Sequence, residues 1–441
     1  MTISLPATPA RASVMIDAYN LDLPRGTGVA TYARNLSYCL NSLGYEIGVL
    51  HGRRASGQAD ALLREVTFFD TPRQIPAWRQ GLRDVLESLA MPFSHRLKAT
   101  PISLTDLVIA PEQRRRMAHH DSLWNVSDLY GRAQRRYSNW QSFQQVHVPQ
   151  TPAVMHWTYP LPLRMQGALN IYTLHDLVPL RLPYTTLDRK RRYLQLARRI
   201  AASADHIVTV SECSRSDIIN LLGVAPERVT NTYQSVTLPA QLLAKPLELA
   251  RREVESTYRL PAGGYFLYVG AIEPKKNIGR LLEAYLASGT TAPLVLAGPR
   301  AWKAEEELRL YLGDELRLRD RIRVLDYVPL SLLVSLIRSA RALLFPSIYE
   351  GFGLPVLEAM LLGTPVLSAN TGSIPELAGD AALLVDPYDG RAMTEGIRAL
   401  DGNHALRAQL VERGTQQAAR FSPECYAERV GELYSRLLAK R

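Results

Sequence analysis

Phe345-Pro346-Ser347-Ile348-Tyr349-Glu350-Gly351-Phe352-Gly353-Leu354-Pro355-Val356-Leu357-Glu358-Ala359-Met360 divides into three pieces. An apolar strand ends at Phe345. A loop with two glycines follows. A helix then begins, with Pro355 in its first turn, where the missing N–H costs nothing. Glycines allow close approach of backbone to a ligand. The unpaired N–H groups of a helix start, with the positive end of its dipole, form an anion site that suits a diphosphate. Glu350 and Glu358 bracket that site and cannot bind phosphate, but they can accept hydrogen bonds from sugar hydroxyls. Read singly, Glu358 is an acid of the first helical turn that complements the dipole, and Glu350 is a solvated loop residue. Taken with the glycines, the ligand reading is the better one.

Working outward, short apolar runs at 265–269, 294–297, 322–325, 342–345, 365–367 and 382–385 alternate with helical stretches. The same alternation opens the chain, with strands expected at 13–17, 45–50, 169–174 and 206–210 and a helix at 29–43 that Gly44 stops. Ser211 reads as a helix cap. Residues 51–150 are polar and irregular, and are expected to hold helices inserted between sheet elements. Strand–helix alternation predicts parallel sheets covered on both faces. The fold class is therefore α/β, with two doubly wound, Rossmann-like domains. Residues 1–240 are assigned to the first and 241–420 to the second, with a linker at 236–247. Residues 421–441 are a final helix. Open α/β sheets bind ligands beyond the carboxyl ends of their strands, so an active cleft between the domains is expected.

Five further segments follow expected strands. Gly270-Ala271-Ile272-Glu273-Pro274-Lys275-Lys276-Asn277 offers two cations that would neutralise a departing phosphate; in isolation they read as exposed lysines. Arg25-Gly26-Thr27-Gly28-Val29-Ala30 is a glycine loop opening a helix, without the third glycine of a dinucleotide fingerprint. Thr173-Leu174-His175-Asp176-Leu177 places a histidine at a strand end, and Asp176 is positioned to hold one of its ring nitrogens. Leu296 to Trp302 and Asp326-Tyr327-Val328-Pro329 are turns after strands.

These segments together resemble glycosyltransferase family 4. Its Glu-x7-Glu signature has a form E-G-F-G-L-P-x-L-E-A-M, and the likeness continues through Gly363-Thr364-Pro365-Val366, Gly372-Ser373-Ile374-Pro375-Glu376 and Gly379-Asp380-Ala381-Ala382. The resemblance implies the two-domain GT-B fold and retaining transfer from a nucleotide-diphosphate sugar, without a further cofactor. It assigns catalysis to His175, Glu350 and Lys276. It places the donor against Gly26, Thr27, Gly28, Lys275, Lys276, Tyr327, Val328, Glu350, Gly351, Phe352, Gly353, Leu354 and Glu358, with Glu350 on the hexose, Glu358 on the ribose and Tyr327–Val328 beside the base. It also implies that the final helix crosses back onto the first domain. Many members carry Arg directly after the first glycine of the Gly270 motif, and Ala271 stands there instead. Ile272-Glu273-Pro274-Lys275-Lys276-Asn277 is similar to a subgroup that reads L-E-P-R-K-N, with Lys275 for Arg, and this form resembles bacterial mannosyltransferases of surface-polysaccharide assembly, which makes GDP-mannose the first expectation for donor. A UDP-sugar transferase, a nucleotide-sugar epimerase or hydrolase, and a binding protein with a decayed site are the alternatives.

Composition narrows the partners. The chain of 441 residues has a net charge of +10. Residues 1–240 carry 27 Lys/Arg against 18 Asp/Glu, and the remainder 25 against 24. The basic excess, with runs at 114–116 and 189–192, fits a polyprenyl-diphosphate-linked acceptor or an anionic membrane surface. Nucleic acid is not expected, because aromatics do not interleave with the basic residues. Cys39, Cys213 and Cys425 make neither a disulfide framework nor a zinc site, and with no export signal a cytoplasmic protein, peripheral at the inner membrane face, is expected. No Asp-x-Asp exists to hold a metal on a diphosphate, so a metal is not expected.

Overall fold

The computed structural model describes residues 12–23, 28–55, 60–70, 96–105 and 107–440. Gly26 and Thr27 lie outside the described residues. The strands are β1 Ser13–Asp17, β2 Glu46–His51, β3 Arg96–Lys98, β4 Thr100–Ile102, β5 Ser122–Asn125, β6 Gln144–His147, β7 Val154–Trp157, β8 Leu163–Met165, β9 Leu169–Thr173, β10 His206–Thr209 and β11 Val229–Asn231. They continue with β12 Phe266–Val269, β13 Leu294–Ala297, β14 Ile322–Leu325, β15 Ala342–Phe345, β16 Val366–Ala369 and β17 Leu383–Val385.

Eight strands form the first sheet, in the order β11-β10-β9-β7-β1-β2-β5-β4, parallel except for the edge strand β4. Six form the second, β14-β13-β12-β15-β16-β17, entirely parallel. Every residue of β7, β10, β12, β13, β15 and β16 is buried. Unbroken apolar burial of this kind belongs to strands covered on both faces. A small parallel sheet, β3-β6-β8, flanks the first.

The strand expected at 13–17 is observed with those bounds, and the expected helix at 29–43 is found at Gly28–Ser42. Two readings need correction. Among the described residues, 51–150 contain four strands as well as helices, and β5 belongs to the main sheet. β7 is not among the expected strands, although it is central and pairs with both β1 and β9. Four residues carrying His156 between flanking prolines give little hydrophobic periodicity; burial on both sides makes the strand. The helix Pro423–Leu438 leaves the second sheet and lies against the first domain, where Tyr434 and His156 Nδ1 are 2.6 Å apart.

Candidate active site

The second domain supplies one wall at the carboxyl ends of β12 and β15. Beyond Phe345 the loop runs to Gly353, and the helix is Leu354–Leu361 with Pro355 as its second residue. Gly353 has φ +117°, and a Cβ there would fall 2.6 Å from Ile374 Cδ1. A side chain at Gly353 would take a strained backbone conformation and crowd Ile374. Ser373 fixes the loop from behind: its backbone N–H and its hydroxyl both donate to the Glu350 carbonyl, at 3.2 and 3.0 Å.

Lys276 ends the turn Pro274–Lys276 after β12. Its Nζ lies 2.5 Å from Glu350 Oε1. Two contacts bring these loops together. Ile348 N–H donates to the Lys275 carbonyl at 2.8 Å, and buried Asn277 donates from Nδ2 to the carbonyls of Pro346 and Pro387 at 3.2 and 2.7 Å. Glu350 is only 9% exposed. Burial opposes its charge, yet Lys276 and Lys275 hold its pKa below the usual carboxylate value. Burial likewise opposes the charge of Lys275, and Glu350, Glu273 and Asp176 raise its pKa nonetheless. Lys275 Nζ lies 3.4 Å from Glu273 Oε1, so the two lysines of the motif stand against two carboxylates, Glu273 and Glu350.

Glu358 is placed differently from the sequence expectation. The helix starts at Leu354, so Glu358 sits in the second turn rather than the first, beyond the strongest part of the dipole field. Among the described residues no charged partner accompanies it, and burial pushes its pKa up to about 7. A carboxyl that is half protonated near neutrality, without a structural partner, is poised to exchange hydrogen bonds with a ligand.

The first domain forms the opposite wall. His175 follows β9, and its Nε2 is 3.0 Å from the Thr158 carbonyl. A carbonyl only accepts, so Nε2 carries the proton and Nδ1 has the lone pair in the neutral ring. Burial depresses the His175 pKa, against smaller opposing effects of Thr158 and Asp176. Tyr32 packs edge-on to the ring at 4.8 Å. The expectation that Asp176 holds the ring is corrected: Asp176 Oδ1 instead accepts from Val178 N–H at 3.1 Å, and the Thr158 carbonyl is the partner. The next strand in space, β7, delivers that carbonyl, which no local pattern reveals.

The walls meet at glycines. A Cβ on Gly351 would lie 2.7 Å from Asp176 Cβ, and one on Gly28 3.7 Å from Leu354 Cδ1. His175, Gly28, Gly351, Leu354, Glu350 and the two lysines therefore surround one cleft. Phe352 is buried and packs edge-on to Phe421 at 6.0 Å, which supports the loop from the core side. Tyr327 and Val328 follow the edge strand β14, apart from this cluster, with Tyr327 83% exposed.

Contacts across the cleft include residues the sequence reading did not single out. Glu376 accepts from Glu212 and Cys213 N–H, each at 2.9 Å, and from the Tyr233 hydroxyl at 3.1 Å. A second-domain carboxylate thereby caps Glu212–Leu222, a first-domain helix. Tyr349, beside Glu350, donates its hydroxyl to Asp217, which Arg181 approaches at 3.4 Å. Glu376 lies within a quoted motif, but nothing in its neighbours announces a partner more than 160 residues away.

Residues 259–417 match the family described as glycosyl transferases group 1, and residues 27–232 match the glycosyl transferase 4-like domain. The O-antigen chain mannosyltransferase B of Escherichia coli is 37% identical over 269 residues, spanning 60% of this chain and 69% of that protein. The chain belongs to glycosyltransferase family 4. The O-antigen chain mannosyltransferase RfbU of Salmonella typhimurium is 29% identical over 246 residues, 56% of this chain and 63% of that one. In overall fold the transferase is similar to sucrose-phosphate synthase from Thermosynechococcus elongatus, with a TM-score of 0.65 at 18% identity, covering 98% of this chain and 100% of that chain. It is also similar to WaaG, a glycosyltransferase involved in lipopolysaccharide biosynthesis, with a TM-score of 0.58 at 16% identity over 95% and 99% of the two chains. The fold of the transferase is thus GT-B.

Proposed function

We propose that this transferase moves mannose from GDP-mannose, with retention and without a metal, to a lipid-linked or oligosaccharide acceptor in surface-polysaccharide synthesis. The observation that carries the reading is the meeting of Lys275, Lys276 and Glu350 before the helix start at Leu354, in a cleft closed by His175. Diphosphate charge would rest on the helix N–H groups and the lysines, Glu350 would hold hexose hydroxyls, and Glu358 the ribose. The anomeric carbon–phosphate oxygen bond breaks as the acceptor hydroxyl forms its own bond to the same carbon on the same face. A β-phosphate oxygen takes the hydroxyl proton. The neutral Nδ1 of His175 accepts a hydrogen bond from the donor sugar and fixes its orientation. The lysines stabilise the charge that develops on the leaving group.

Mannose rests on the relatives' names, O-antigen chain mannosyltransferases, and on the Glu273-Pro274-Lys275-Lys276-Asn277 form of the motif. An acceptor carried on a lipid diphosphate accords with the basic first half, and the work would take place at the inner face of the cytoplasmic membrane. No helix among the described residues is long and apolar enough to cross a membrane. The test is a panel of GDP- and UDP-sugars with and without EDTA, read by nucleotide release in the presence of acceptor, with the product anomer assigned by NMR. GDP-mannose turnover, EDTA resistance and an α-linked product are expected. Preference for a UDP-sugar would sink the donor assignment, and release of free mannose at full rate without acceptor would make the protein a hydrolase.

A further inference from the structure

One surface at the mouth of the cleft has unmatched charge. Helix Lys190–Ser203 contains five Lys/Arg and no acid. Its outer face carries Arg191, Arg198 and Arg199, with Arg189 just before it, all exposed. None of these four has an acidic partner among the described residues. Some exposed arginines of the second domain are matched within a turn, as in Arg317–Asp314 and Arg391–Glu395. The segment leading into the helix exposes two large apolar side chains, Tyr184 at 62% and Leu187 at 74%, with Asp188 as the one acid beside them. The Tyr184 hydroxyl lies 3.4 Å from that of Tyr388 in the second domain, so this surface borders the cleft opening.

We propose that Tyr184, Leu187 and the arginine face of Lys190–Ser203 dock the protein on an anionic bilayer, with Leu187 entering the interfacial layer. Uncompensated arginines are drawn to anionic headgroups, and an exposed leucine among them gains by leaving water. A polyanion such as RNA would use the arginines but not Leu187. Seated this way, the cleft opens toward the membrane, where a lipid-linked acceptor presents its sugar. That purpose rests on the acceptor class proposed above; the binding itself does not, and it is read without turnover.

Flotation with vesicles containing 30% phosphatidylglycerol, or phosphatidylcholine alone, tests the idea for the full chain at ~100 mM salt. Binding only to the anionic vesicles is expected. Each arginine contributes about fivefold to partitioning, so Arg191→Glu/Arg198→Glu/Arg199→Glu should lower it at least ~100-fold, and Leu187→Glu severalfold. The comparison variant, Arg317→Glu/Arg319→Glu, alters a second-domain surface whose exposed Leu316 is flanked by Asp314, Glu315 and Asp320; it should bind like the parent chain. Thermal midpoints and transfer to a water-soluble acceptor should be unchanged in all variants. Equal losses in the comparison variant, unaltered binding by Leu187→Glu, absence of binding to anionic vesicles, or tighter binding to single-stranded RNA would each overturn the proposal. A chain that transfers sugar in solution but stays off vesicles would refute this surface and leave the reaction standing.

Discussion

Glu350 and Lys276 are 74 positions apart and meet at 2.5 Å, and Lys276 with Lys275 keeps the buried Glu350 charged. Removing one partner of a buried pair leaves a charge without compensation, at a cost of about 3 kcal/mol. Glu350→Gln should therefore lose roughly that much stability in urea titrations and reduce kcat/KM for the donor by ~100-fold or more, because a donor contact goes with the pair. Equal activity in the variant would remove Glu350 from the site. Glu358 is different, because burial rather than a partner sets its pKa. The folded chain holds its proton up to about pH 7, whereas the unfolded chain releases it near the ordinary value of 4.5. The sign follows from linkage: the contribution to stability is greatest below pH 4.5 and is lost as pH rises to 7. Glu358→Gln, which carries no ionisable proton, should raise the thermal midpoint over the parent at pH 8 and not at pH 5. A gain of the same size at both values would contradict a raised pKa.

At the scale of elements, the glycine loop and its helix form one device, since Gly353 makes the turn and the helix supplies N–H groups to the cleft. Gly353→Ala places a side chain at φ +117° and against Ile374. Such strain costs about 2 kcal/mol. Loss of that order in chemical denaturation is expected, with at least tenfold weaker nucleotide binding by calorimetry; unchanged nucleotide affinity would show that the helix start takes no part. The elements of the second domain were largely legible beforehand, because β12, β13, β14 and β15 are apolar runs separated by helices and punctuated by glycine. The first domain was less so. β7 has a histidine in a four-residue strand, and β3 to β6 are short and partly polar, so tertiary burial decides them rather than periodicity.

For the whole molecule, closure of the cleft depends on contacts that neither domain contains alone. The Glu376 carboxylate satisfies two N–H groups at the start of Glu212–Leu222, where the helix dipole favours it, and Tyr349 links the Glu350 loop to Asp217. Glu376→Ala combined with Tyr349→Phe should open the domains in small-angle scattering without nucleotide. Donor KM should rise severalfold while kcat at saturating donor changes little, since the donor itself can re-close the cleft. An unchanged radius of gyration would show that other contacts hold the domains.

What the sequence by itself determined lies within a few residues of its own signal. Glycine at a positive φ, proline in a first helical turn, alternating strands and helices, and the family motifs place Glu350, Glu358, Lys276 and His175 after strands, and so at a cleft. Only the tertiary structure decided partners. It set Lys276 on Glu350, gave His175 the carbonyl of Thr158 instead of Asp176, moved Glu358 into a second turn and crossed the cleft with Glu376 and Tyr349. The reason is physical. Backbone preferences are local, whereas ion pairs and hydrogen bonds between distant residues depend on which strands lie side by side, and the order β9-β7-β1 is fixed by burial of whole faces.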